Sequence, residues 1–263
     1  VPLREGWRVS LAERAKAANI LVVDIERLPG LARVWDQKTR FVPVSTFERL
    51  PSTLCFAAKQ YGARSTEFVA AWDGGHEAMI RRSWELYDEA DIVVTYNGVA
   101  FDNKHLRADW RDLGLPPPRP WKDVDLYRVN RTTFGAVSYS LNHLCQVLGL
   151  DTKSGHYDAV LAQAALDGDV TAQRKMKRYN VGDVKITEQA YDRLRPYMHT
   201  HPHMGTLSHD EALSCNACGS TELERNGVYR AVTIDYVLYR CKGCGANVRG
   251  GRHSRAALSR GVR

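Results

Sequence analysis

Asn19-Ile20-Leu21-Val22-Val23-Asp24-Ile25-Glu26 runs four apolar residues into two carboxylates spaced two positions apart. The apolar run, mostly β-branched, has the pattern of a strand buried on both faces. Residues i and i+2 of a strand share a face, so Asp24 and Glu26 set two hard oxygen ligands side by side at the strand tip, an arrangement that suits a divalent metal. Alone, Asp-x-Glu also describes an acidic strand end in water. What the rest of the chain brings to it decides between the two.

Beyond this strand, Pro29-Gly30 marks a turn, and residues 31–36 alternate as a second strand returning beside the first. Residues 53–61 and 66–72, broken by Gly62-Ala63-Arg64, are predicted to form a hairpin, giving the sheet an antiparallel start. Residues 76–89 carry Met79, Ile80, Trp84 and Tyr87 at helical spacing, and 91–96 form a short apolar strand; helix followed by strand signals a crossover. The turn Asn97-Gly98-Val99-Ala100-Phe101-Asp102 then opens a helix over 103–113. This puts a carboxylate just past a strand, in the crevice where mixed α/β sheets hold their sites. Asp is also a favoured N-cap, which is the second reading open to Asp102. Residues 121–127 are predicted as the last strand, 140–150 and 156–166 as two helices, and 170–194 as a long helix. On that helix Tyr179 and Asp183 stand four apart and share a face.

The 263 residues suffice for one sizeable core and a small appendage, and 44% hydrophobic with 25% charged residues is a globular, not a disordered, composition. A net charge of +7 and a pI near 9.1 favour a polyanionic partner. No apolar run reaches the roughly 18 to 20 residues of a membrane span, and the first twenty residues show no signal-peptide core. A cytoplasmic protein is expected, in the host cytoplasm if the gene belongs to a phage.

Asp24-x-Glu26, Asn97-x-x-x-Phe101-Asp102 and Tyr179-x-x-x-Asp183 stand in the order and approximate spacing of the DEDD superfamily of 3′-to-5′ exonucleases, and the chain resembles its tyrosine branch. The likeness is to the DnaQ-like proofreading domains of family B DNA polymerases and to stand-alone phage and bacterial exonucleases. Ser140-Leu141-Asn142 followed by Leu148-Gly149-Leu150-Asp151-x-Lys153 resembles the segment those domains carry between their second and third motifs. Arg178 occupies the position where the histidine branch would carry its His.

The resemblance spans about residues 19–197 and implies an α/β fold, a ribonuclease H-like mixed β-sheet flanked by helices. It implies two Mg²⁺ or Mn²⁺ ions per site. Asp24, Glu26 and Asp183 would hold the ion that activates water, Asp24 would bridge to the second, and Asp102 would act mainly through water ligands or the second ion. Tyr179 would orient the attacking water, since a phenol with an ordinary pKa near 10 positions better than it deprotonates. Leu28, Asn97 and Phe101 are the candidate contacts to the terminal bases, with a core role equally open to Phe101.

Six cysteines invite a disulfide count, but Cys215-x-x-Cys218 and Cys241-x-x-Cys244 have the spacing of zinc knuckles, each followed by Gly. Glycine tolerates the positive-φ turn that aims main-chain N–H groups at the sulfurs. One structural Zn²⁺ in a small zinc ribbon is predicted, with hairpin strands over 229–240; Cys55 and Cys145 are predicted core residues. The expected organisation is an N-terminal arm over 1–18, an exonuclease domain over 19–197, a linker over 198–212 that includes His199, His201 and His203, the ribbon over 213–248, and an Arg-rich tail over 249–263.

The function expected is metal-dependent 3′-to-5′ hydrolysis of nucleic acid, single-stranded DNA or a 3′ end, with no membrane and with a replication or repair protein as a further partner. A structure-selective or RNA-directed nuclease of the same fold, and a nucleic-acid-binding or replisome-tethering module with a vestigial site, are the alternatives.

Overall fold

A computed structural model describes residues 18–152, 155, 157–207 and 212–252. Residues 1–17 of the arm expected over 1–18, and most of the Arg-rich tail, lie outside them. The chain divides into two compact units, Ile20–Ala190 and a second comprising Val1–Asn19 with Tyr191–Arg263.

The first unit is built on a five-stranded sheet of order β5-β4-β1-β6-β7. The strands are β1 (Ile20–Leu28), β4 (Ser52–Gln60), β5 (Glu67–Ala70), β6 (Ile92–Thr95) and β7 (Lys122–Asp125). β4 runs antiparallel to β1 and β5, while β6 is parallel to β1 and β7 to β6, so the apolar opening strand is central. The stretch predicted as a strand over 31–36 departs from expectation. Only Leu31–Ala32 (β2) is extended, and it pairs with Phe47–Arg49 (β3) in a separate two-stranded sheet rather than with β1. β4 takes one flank of β1 through Leu28, and on the other flank, past Val22 where β6 stops, the Asp102 carboxylate accepts the Ile25 N–H.

Alternation along β1 divides the core. Leu21, Val23 and Ile25 face the helix α1 (His76–Glu89), whose Met79, Ile80, Leu86 and Tyr87 are buried, and Leu106 and Trp110 of α2 (Asp102–Asp112) complete the cluster. At its base Tyr87 donates to Asn103 Oδ1 (2.9 Å) and Asn103 Nδ2 to Asp123 Oδ1 (2.8 Å), satisfying polar groups that would otherwise be costly to bury. The opposite face meets the long helix α6 (Val170–Leu194) and α5 (Ala159–Leu166), with Leu28, Cys55, Ala162, Ala165 and Met176 packed together. Glu188 of α6 pairs with Lys59 of β4 and accepts from the Gly62 main-chain N–H, both ends largely shielded from solvent, which fixes where α6 crosses the sheet.

Among the described residues, the longest helix absent from the sequence reading follows β7. The strand predicted over 121–127 ends at Asp125, and Leu126–Thr133 forms α3, capped by the Asp125 carboxylate on the N–H groups of Tyr127 (3.0 Å) and Arg128 (3.4 Å). Asp followed by a helical apolar spacing was a readable N-cap signal. α4 (Leu141–Leu148) follows, capped by Ser140 and closed by Gly149 in the left-handed region at φ 63°.

In the second unit, β8 (Leu223–Arg230), β9 (Asp235–Cys241) and β10 (Asn247–Arg252) form an antiparallel sheet of order β10-β9-β8. The third strand holds Arg249 opposite Leu238 and Arg252 opposite Tyr236, so the sheet takes up residues expected to begin the tail. The reading of 198–212 as an exposed connector also fails at His201. Its ring is 6% exposed, accepting or donating against the Tyr191 hydroxyl at 2.7 Å and against the Pro202 carbonyl at 2.7 Å. Burial first, and then Arg195, lower its pKa to about 4, so the ring is neutral, with Nδ1–H donating to the carbonyl and Nε2 accepting from the phenol. No helix among the described residues is long and apolar enough to cross a membrane.

Candidate metal centre

β1 outruns its parallel neighbour. Pairing with β6 covers Ile20, Leu21 and Val22 and then stops, while pairing with β4 continues through Asp24 opposite Ala57 and Glu26 opposite Cys55. β6 ends at Thr95 and the chain turns away, opening a crevice beside the strand end. In that turn Asn97 has φ 69°, tolerable for Asn, and Gly98 lies so close to Thr95 that a Cβ would sit 2.4 Å from its Oγ1. The Asp125 carboxylate holds the turn by accepting from the N–H groups of Asn97 (2.9 Å) and Val99 (3.3 Å) while capping α3.

Asp102 enters from the first residue of α2, where Phe101, not Asp102, is the N-cap. Its Oδ1 accepts the main-chain N–H of Ile25 at 3.0 Å, the peptide between the two β1 carboxylates, on the flank where β6 has stopped supplying acceptors. The side chain is 4% exposed.

On the other face α6 supplies Tyr179, Asn180 and Asp183 within about one helical turn, and Asn180 and Asp183 meet the carboxylates of β1. Ligand atoms of Asp24, Glu26 and Asp183 all lie within 4.8 Å of one another; Asp102 falls outside that group. Oxygen ligands of a Mg²⁺ ion at 2.0–2.1 Å are separated by about 2.9 to 4.2 Å, so small side-chain movements would let the three close on one cation. Asp183 is 2% and Glu26 9% exposed, whereas Asp24 is more open, which makes Asp24 the side of approach. Carboxylates this close repel one another, and a divalent cation is the partner that offsets the repulsion. Neighbouring groups register the negative field. Burial, then Glu26 and Asp24, push the Cys55 thiol well above its ordinary value, and burial followed by Glu26 raises the Tyr157 phenol.

Two supporting residues lie outside the sequence reading. Asn180, fully buried, donates from Nδ2 to the main-chain oxygen and to the carboxylate of Asp24. Tyr157 donates to the main-chain oxygen of Arg27, and its ring stacks on Tyr179 with centroids 6.2 Å apart and planes 26° apart. Neither carried a signal in the local sequence, since the partner in each case comes from a distant segment.

A cleft of about 580 Å³, a size range typical of small-ligand sites, adjoins Asp24 and is lined by Asn97, Tyr96, Tyr127, Tyr139 and Ser140 among others. Phe101 is 42% exposed, edge-on to His105 at 4.7 Å. Leu28, expected to pack on a terminal base, is instead 3% exposed and committed to the core against α5 and α6.

In the second unit the four cysteine sulfurs form a single cluster within 4.8 Å, with Cys215 to Cys244 at 3.5 Å and Cys218 to Cys241 at 3.6 Å. These are thiol separations, not disulfide bonds, and approach the edge of about 3.8 Å that a tetrahedron of sulfurs 2.3 Å from zinc would have. Gly219 and Gly245 adopt φ 74° and 76°, and their N–H groups close each knuckle on the carbonyls of Cys215 and Cys241. Hydrogen bonds from neighbouring thiols lower Cys241 while Cys218 and Cys244 are raised, as expected of four sulfurs that cannot all ionise without a cation. The cluster is compatible with a zinc ribbon.

A central strand ending in carboxylates, opposed by a helix that returns one more, defines the ribonuclease H-like class of α/β proteins. The chain belongs to the RNase H superfamily, whose family model matches residues 51–195, more than half of its length. That match begins after the β1 carboxylates. Among solved structures, the family B DNA polymerase from the hyperthermophilic archaeon Pyrobaculum calidifontis is similar in fold, with a TM-score of 0.50 and 17% identity over 82% of this chain. The chain spans 31% of that polymerase's length. No curated protein matches the sequence at a significant level. Superfamily membership supports a nucleic-acid-directed, nuclease-type function.

Proposed function

We propose that the protein is a metal-dependent 3′-to-5′ exonuclease acting on single-stranded nucleic acid, DNA in the first instance. The observation that carries this is the convergence of Asp24, Glu26 and Asp183 within ligand distance, with Tyr179 one turn before Asp183 on the same helix. Two divalent ions, when bound, generate the nucleophile from water at neutral pH and stabilise charge on the phosphate and the leaving oxygen. Asp24, Glu26 and Asp183 would hold the first ion. Asp24, the most open of the three, would share the second, with Asp102 supporting it from the β1 peptide. Tyr179 positions water with its hydroxyl, its ring held against Tyr157. The cleft beside Asp24 and the exposed ring of Phe101 offer aromatic surface for the terminal bases, and Asn97 lines the same cleft. The four cysteines would hold one structural Zn²⁺.

The test is incubation with 5′-labelled and 3′-labelled single strands of DNA and RNA in Mg²⁺, Mn²⁺ or EDTA. A descending ladder from the 5′ label and immediate mononucleotide from the 3′ label, both abolished by EDTA, are expected. Internal cuts or an absence of EDTA-sensitive products would refute the reading; a preference for RNA would keep the chemistry and change the substrate.

A further inference from the structure

The zinc-ribbon sheet has two unlike faces. One, carrying Leu223, Tyr239, Cys241 and Val248, closes over the cysteine cluster. Cross-strand register puts Tyr229 opposite Tyr236 and Leu238 opposite Arg249 on the other face. There the Tyr229 and Tyr236 rings lie 6.4 Å apart at 41°, and the Arg249 guanidinium stands 4.4 Å from the centre of the Tyr236 ring. Tyr229 is 46% exposed and Arg249 is exposed, so this aromatic and cationic surface is not spent on a core.

We infer that this face is a second nucleic-acid site, a stacking platform for bases of a single strand. The inference rests on the nucleic-acid reading above but not on the metal centre. Tyrosine rings accept any base by stacking, and a guanidinium on a ring adds a planar cation that stacks on bases or pairs with phosphate. Charge selects this occupant over a neutral protein surface. Residues 213–252 hold Arg225, Arg230, Arg240, Lys242, Arg249 and Arg252 against Glu222, Glu224 and Asp235, a net +3 before zinc, about +1 once four thiolates hold Zn²⁺, and the sequence beyond adds Arg255, Arg260 and Arg263 with no acid. A duplex hides its base faces, so the platform discriminates in favour of single strands.

The experiment measures affinity of the full-length protein, with catalysis stopped by omitting Mg²⁺, for a labelled oligothymidylate and for a duplex across a salt series. Tyr229→Ala and Tyr236→Ala are each expected to weaken single-strand binding about five- to a hundredfold without changing the salt slope, because stacking releases no counterions. Arg249→Gln should lower that slope by about 0.7. Tyr236→Leu preserves apolar bulk beneath Arg249 and must lose affinity too, with zinc content and melting unchanged, so that misfolding is not mistaken for lost stacking. Hydrolysis of a short substrate at saturating concentration should be normal in every variant, because none of these residues belongs to the metal centre. Unchanged single-strand affinity in both Tyr229→Ala and Tyr236→Leu, or an equal loss for duplex, overturns the platform while leaving the exonuclease reading intact. Tyrosine-dependent binding with no hydrolysis by any form would sink the exonuclease reading alone.

Discussion

The amide nitrogen of Asn180 donates to Asp24 twice, to its main-chain oxygen at 3.1 Å and to its carboxylate at 2.7 Å. Both partners are acceptors, which settles the orientation of the amide. A single helix residue thereby fixes backbone and side chain of the strand residue that faces the cleft. Asn180→Ala should therefore lower hydrolysis about tenfold at limiting Mg²⁺, equivalent to about 1.4 kcal/mol, with much of the loss recovered at high Mg²⁺. Asn180→Asp should be worse, because it places another acid against Asp24. Metal titrations of the rate check both, and a wild-type metal dependence would remove Asn180 from the site.

Asp24→Ala or Asp183→Ala is expected to cut hydrolysis about a thousandfold or more, since each would remove one of the three carboxylates proposed to hold the ion. Relief of repulsion among the carboxylates should leave the melting temperature of the metal-free protein unchanged or raised. Near-normal turnover in either variant would refute the proposed centre.

Tyr179→Phe keeps the ring that stacks on Tyr157 and deletes only the hydroxyl. Stability and metal binding should be preserved while the rate falls about ten- to a hundredfold, the cost of a poorly placed nucleophile. Single-turnover kinetics at saturating metal measure this; full activity would exclude Tyr179 from the chemistry.

Chelation of zinc, or Cys218→Ser, should unfold the ribbon sheet, because a module of this size lacks a core sufficient to fold without its metal. The unit Ile20–Ala190 has its own clusters on both sheet faces and should stay folded. Hydrogen exchange reads the difference: amides of β8 to β10 lose protection while those of β1 and β4 retain it. Loss of protection in β1 would show that the two units fold as one.

Stability should fall on acidification between about pH 6.5 and pH 4. The unfolded chain protonates His201 near 6.5 and the folded chain only at about 4, so across that window the unfolded state binds more protons and unfolding gains. Below about pH 4 the whole effect, on the order of 3 kcal/mol, has been lost. Denaturant titrations against pH should show a shallower dependence in His201→Gln, and identical slopes would discount the buried ring.

Local pattern alone determined the central strand, the hairpin of β4 and β5, the crossover helix α1, the long α6 and the two cysteine knuckles, because each is written in contiguous spacing: apolar runs, 3.6-residue periodicity, Cys-x-x-Cys with Gly. The candidate ligands Asp24, Glu26 and Asp183 were legible for the same reason, as residues placed at the ends or on the faces of readable elements. What tertiary structure decided was pairing and burial. Residues 31–36 alternate as a strand should, but only Leu31–Ala32 is extended and its partner is β3, not β1. Leu28, which the resemblance implies as a base contact, is covered by two helices. Asp102 has two local readings, and the absence of β6 beside Ile25 selects a third, an acceptor for a main-chain N–H 77 positions away. Asn180 and Tyr157 gain their roles only when distant segments meet, and no spacing within either segment encodes that meeting.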